Sequence, residues 1–133
     1  MKVLIIRAKT LSFNGGLKRH CDDLYALMSA CDVDVMPVED LPATYVKWIR
    51  KYKYDTKALV RYIENSRCDV VHIHGFMSPG AVQAINAAYG LNKKIVYSPH
   101  FHPFRYLRHP MKGKLWFHLF LKPVLFKVDT IVT

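Results

Sequence analysis

Two histidine pairs carry the residue types best suited to chemistry: His72-Ile73-His74 and His100-Phe101-His102. Alternate residues of a strand share a face, so each pair can present two imidazoles side by side. Such groups can move a proton near neutral pH, hydrogen-bond a hydroxyl or phosphate, or ligate a metal. A hydrolase that activates water on a metal held by HxH pairs is therefore one alternative reading. Against it, no HxxE or clustered aspartate accompanies the pairs, and no acidic residue lies between Val70 and Val128. The expectation is no bound metal. His72, nearer the strand interior, is expected to be a satisfied core histidine, whereas His74 at the strand's mouth is expected to line a cleft. His20 is expected on a helix surface or in packing behind a glycine loop.

The elements that must position these groups follow a βα alternation. The run Asp69-Val70-Val71-His72-Ile73 is β-branched and too short for a helix, so it predicts a strand buried on both faces of a parallel sheet. His74-Gly75 lies at its C-terminal end, and Pro79 opens the next helix. In open α/β sheets ligands bind beyond the C-terminal strand ends, which makes polar residues there site candidates. Lys2 to Ile6 predicts a first strand, and Ala8 to Gly16 a loop ending in Asn14-Gly15-Gly16. Leu17, Cys21, Leu24, Met28 and Cys31 mark one face of a helix.

Asp32 to Met36 predicts a second strand, followed by a loop from Pro37 through Glu39-Asp40-Leu41-Pro42. Tyr45, Trp48, Ile49 and Tyr52 then share one helical face, with Lys47, Arg50, Lys51 and Lys53 on the others, predicting a basic aromatic helix. Asp55 is placed to N-cap a helix carrying Leu59, Val60 and Ile63. A small-residue helix spans Gly80 to Tyr89 and stops at Gly90, and Lys94 to Ser98 forms a strand. Met111 to Val128 is helical with a kink at Pro123, and Asp129 to Thr133 begins another strand. One doubly wound, Rossmann-like α/β domain covers residues 1–133. A chain that ends within a strand is expected to be truncated at its C-terminal end.

Composition adds a charge argument. The formal net charge is +10 over 133 residues, which favours anionic partners. Cys21, Cys31 and Cys68 show no ligand spacing and read as reduced, mostly buried thiols in a cytoplasmic protein. Charged residues from Lys93 to Lys127 are all basic and interleaved with aromatics. Lys114, His118 and Lys122 make a polar stripe on an otherwise apolar helix, which suits packing on a second domain or an anionic membrane surface but not a span. Basic residues interleaved with Tyr45, Trp48 and Tyr52 would also suit a nucleic-acid or phosphate-binding module without catalysis. No RNA-binding sheet motif, zinc finger or helix-turn-helix supports that alternative.

Asn14-Gly15-Gly16-Leu17 with His20, then DVVHIHGFMSP, IVYSPHFHP and VDTIVT, resembles the N-terminal half of the family 4 glycosyltransferases. The likeness implies one half of a GT-B architecture, in which two Rossmann-like domains face each other across a cleft. This half would hold the acceptor, and the absent C-terminal domain would hold the nucleotide sugar, so the isolated chain is not expected to be active. The implied reaction moves a sugar to an acceptor hydroxyl, such as that of a lipid-linked or other glycan for the cell envelope, with retained configuration and no cofactor or required metal. By the same likeness His100 is the catalytic candidate, and Gly15 and Gly16 form the loop approaching the donor phosphates. His74, His102, Arg105 and Lys18 are the acceptor-side or cleft candidates. Localisation would be cytoplasmic, peripheral on the membrane's cytoplasmic face.

Overall fold

The structure, a computed structural model, describes residues 1–8, 16–31, 33–38, 41–47, 51–75, 78–100 and 110–132. Its centre is a parallel five-stranded sheet in the order β2-β1-β5-β6-β7, formed by Asp34–Val38, Lys2–Arg7, Val70–His74, Lys94–Ser98 and Thr130–Ile131. Between them come α1 (Gly16–Ala30), the strands β3 (Ala43–Val46) and β4 (Lys51–Tyr54), α2 (Thr56–Ser66) and α3 (Pro79–Gly90). After β6 follow α4 (Pro110–Trp116), a π-helical turn (Phe117–Leu121) and α5 (Lys122–Leu125).

Strand parity decides what faces what. Val71 and Ile73 point into the main core with Leu4, Ile6, Ile95 and Tyr97, packed by Leu59 and Ile63 of α2 and by Ala81, Ala84, Ile85 and Ala88 of α3. Val3, Ile5 and Val70 point the other way, onto Leu24 and Met28 of α1. His72, His74 and Ser98 have the parity of Val70, so they belong to the α1 face. Order reverses between β1 and β5, which places a topological switch point beside the last residues of those strands. There Arg7 pairs with His74, and His74 with Ser98.

Several local expectations hold. Asp55 caps α2 by accepting the Ala58 N–H at 2.7 Å, and Pro79 opens α3; the structure adds a cap for that helix, Ser78 Oγ accepting the Ala81 N–H at 3.2 Å. Others are corrected. Residues 43–46 and 51–54 form an antiparallel hairpin, not a basic aromatic helix. Tyr45 and Tyr52 are cross-strand partners with ring centroids 5.3 Å apart. The period-2 run Lys51-Tyr52-Lys53-Tyr54 outweighs the helical spacing of Tyr45 and Tyr52, and it seats Tyr54 in the core. The premise of the nucleic-acid reading, an aromatic helix, is lost with it. The hairpin is clasped to α3 by Gln83, whose amide accepts from the Tyr54 N–H at 2.9 Å and donates to the Tyr54 carbonyl at 3.0 Å.

Pro37, expected in a loop, lies in β2 opposite Ile5. An edge strand tolerates a residue without an N–H. Cys31 is exposed in the turn after α1, unlike the buried Cys21 and Cys68. Gly90 is the last residue of α3, and Asn92 takes the left-handed conformation at φ 52°. The kink assigned to Pro123 is a change of helix type before it. Pro123 cannot donate to the Leu119 carbonyl, and Lys122 donates instead to Phe117, five residues back. No described helix is long and apolar enough to cross a membrane.

Candidate functional site at the mouth of the parallel sheet

The C-terminal ends of β5 and β6 and the first turns of α1 converge on one cluster of imidazoles. His74 Nδ1 lies 2.8 Å from His100 Nε2, a hydrogen bond in which one ring donates and the other accepts. The His20 ring packs edge-on to His100, with centroids 4.7 Å apart, and lies 5.6 Å from His74. His72 is 4.0 Å from His74, centroid to centroid, and its Nε2 lies 3.0 Å from Ser98 Oγ. Parity explains the convergence, because His72, His74 and Ser98 face α1, where His20 arrives one turn after the helix begins at Gly16. The α1 N-terminus therefore lies one helical turn before the residue that joins α1 to the cluster.

The backbone below is tightly fixed. The Ala8 N–H donates to the His74 carbonyl at 2.7 Å, and the Gly75 N–H donates to Ser98 at 3.3 Å. A Cβ on Gly75 would stand 2.5 Å from the Cβ of Ala8, so only glycine lets the chain leave β5 beside β1. The buried Tyr97 hydroxyl donates to the Gly75 carbonyl at 3.3 Å, and the Tyr54 hydroxyl donates to the Arg7 carbonyl at 2.7 Å. Core aromatics thus hold both strand ends that form the mouth.

The electrostatics favour the neutral forms of His72, His74 and His100. Burial, reinforced by His72, His100 and His20, pushes His74 down to about 3. Burial, then repulsion from His100 and His20, takes His72 down to about 4. His100 is lowered as well, first by burial and then by His20. Burial is the common cause, and no carboxylate between Val70 and Val128 offsets it, since that stretch holds no acidic residue. A neutral imidazole offers one lone pair, so the cluster can accept a proton, bind a hydroxyl or ligate a metal.

Of the residues singled out from sequence, the fold brings His74 and His100 into direct contact. His74 is fully buried, at 0% exposure, so it is a cleft residue only by way of His100. His72 is half-buried and bonded, as expected of a core histidine. Lys18 is paired along α1 with Asp22 at 2.7 Å. Gly16 starts α1; Gly15, His102 and Arg105 lie outside the described residues. His20 is exposed, as expected, but its membership of the cluster went unread. The available signal was its place one turn after the glycine loop, the turn of a βα unit that faces the strand ends.

The sequence model of Glycosyltransferase Family 4 matches residues 14–133, spanning both histidine pairs and the last three strands of the sheet. The chain belongs to glycosyltransferase family 4. Curated protein sequences offer no match. Among solved structures, a conserved protein from Enterococcus faecalis V583 superposes with a TM-score of 0.56 at 12% identity, covering 100% of this chain and 92% of that one. That likeness concerns the fold alone. MurG from Acinetobacter baumannii is more distant, with a TM-score of 0.46 and 10% identity over 98% of this chain, which spans 40% of MurG. The family 4 membership gives the Rossmann-like sheet a glycosyltransferase setting, and with it a nucleotide sugar and a glycan acceptor as the general class of partners.

Proposed function

We propose that this chain is the acceptor-side half of a retaining glycosyltransferase, and that His100 meets the acceptor hydroxyl at the mouth of the sheet. The observation that carries this reading is the His74–His100 hydrogen bond at the C-terminal strand ends, in a chain whose family transfers sugars. In the tautomer where His100 Nε2 donates to His74, the other His100 nitrogen keeps a lone pair that can take a hydroxyl proton. Gly15 and Gly16 would place backbone N–H groups at the start of α1 against the donor phosphates, where the helix dipole favours negative charge. Arg105 and His102 would hold an anionic acceptor, with Lys18 at the rim. No step asked of these residues uses a metal, and none is required in this reading. The nucleotide sugar would be held by a second, C-terminal domain.

The acceptor class proposed is a glycan or lipid-linked sugar of the cell envelope, reached from the cytoplasmic face of the membrane. Supporting it, α4, the π-turn and α5 expose Met111, Leu115, Leu119, Phe120 and Phe126 beside the exposed Lys114 and Lys122. Apolar groups ringed by lysines suit an anionic bilayer surface. The test is transfer from a panel of nucleotide sugars by the transferase containing this chain, with the anomeric configuration of the product read by NMR. Sugar transfer with retained configuration, stimulated by anionic vesicles, is expected. Donor hydrolysis only, or an inverted product, contradicts the reading.

A further inference from the structure

One atom of the cluster is left without a role by the hydroxyl chemistry of His100: His74 Nε2, buried with no hydrogen-bond partner among the described residues. An orphaned buried imidazole nitrogen asks for an explanation. We propose that His20, His74 and His100 form a three-imidazole site for a divalent transition metal of the zinc class. Each can offer one ring nitrogen such that the three lie within 4.8 Å of one another. Tetrahedral zinc with Zn–N bonds of about 2.1 Å holds its ligand atoms about 3.4 Å apart. Closure therefore needs a shift of up to about 1.4 Å, and the exposed His20 can supply it by a side-chain rotation. The two inner rings are already in contact, with His74 Nδ1 lying 2.8 Å from His100 Nε2.

The donor set fixes the class of metal. Three nitrogens without a carboxylate suit zinc, cobalt, nickel or copper, whereas magnesium and calcium need oxygen ligands. Behind the ligands, the His72–Ser98 contact stiffens the strand ends, as outer contacts do in metal sites. Three protein ligands leave a coordination position open at the mouth. Binding does not rest on the transferase reading; where His100 acts on a hydroxyl, the metal takes the same lone pair and inhibits.

The test is titration of the full chain with Co2+ and Zn2+, followed by visible absorption and thermal midpoint. One equivalent is expected to bind at micromolar concentration, with Co2+ bands of nitrogen and oxygen coordination and a midpoint raised by several degrees, while Mg2+ does nothing. His20→Ala, at an exposed position that leaves the core intact, is expected to weaken binding at least tenfold, and His118→Ala, on the π-turn, to leave it unchanged. No binding up to about millimolar Zn2+, thiolate charge-transfer bands with Co2+, or wild-type affinity in His20→Ala overturns the proposal.

Discussion

At the mouth of the sheet a polar side chain, His74, is 0% exposed, while along residues 110–126 large apolar side chains stand outside, Met111 at 82% and Phe126 at 85% exposure. The inversion has a local cause in each place. The mouth is closed by strand register: His74 lies between Arg7 and Ser98, and Gly75 touches Ala8. The helical segment uses only one face, through Trp116, Phe117, Leu121, Val124 and Leu125, to cover the core. Burial of imidazole is thus imposed by backbone positions that cannot move independently. The exposed apolar face carries no such constraint, and changing it should leave the fold alone.

Among substitutions, the largest expected effect on stability comes from filling the contact under His74. Gly75→Ala forces a Cβ into Ala8 and should cost about 1–3 kcal/mol in a denaturant titration, the usual range for overpacking. Ala8→Gly in the same chain should restore most of that loss, because it removes the clashing atom; two losses that simply add would show that the close approach is not what fixes the mouth.

Acid should come next. In the unfolded chain an imidazole takes up a proton near pH 6.5, whereas folded His72 and His74 stay neutral down to about 4 and about 3. Between those values the unfolded state binds more protons. Stability therefore falls as pH drops below about 6.5, by up to ~1.4 kcal/mol per pH unit for a fully buried group and less for the half-buried His72. His72→Gln should make the acid limb of the midpoint-against-pH curve shallower, and an unchanged limb would place the proton uptake elsewhere. The smallest stability change, under about 0.5 kcal/mol, is expected from Phe126→Ser with Leu119→Ser. That pair should nevertheless release the chain from anionic vesicles in a sedimentation assay, and undiminished sedimentation would detach the apolar face from the membrane.

Much of this contrast was legible in the sequence, for identifiable reasons. β5, β6 and α3 are set by strong local signals: a β-branched run, a proline at the helix start, a small-residue helix. The places of His74 and His100 at the ends of two strands were legible, but not their hydrogen bond, because spacing groups each with the histidine two residues from it in sequence. The hairpin was not legible by the same route, because Tyr45, Trp48, Ile49 and Tyr52 satisfy a helical period, and what decides is Tyr54 reaching Gly80 and the Arg7 carbonyl from far along the chain. His20 went unread because its partners come from two other elements, and no local pattern records that meeting. The π-turn was half legible: Pro123 announces a break, but only the Phe117 carbonyl shows how the helix accommodates it.

The central claim is that the imidazole lone pair at the mouth serves sugar transfer, and kcat of His100→Ala in the transferase containing this chain tests it most directly. Loss of a proton-transfer group typically costs about 10²–10⁴-fold, and a fall of that size is expected, with thermal midpoint and secondary structure unchanged and with His118→Ala as active as the parent. Turnover within about twofold of the parent would contradict the account and remove His100 from the mechanism.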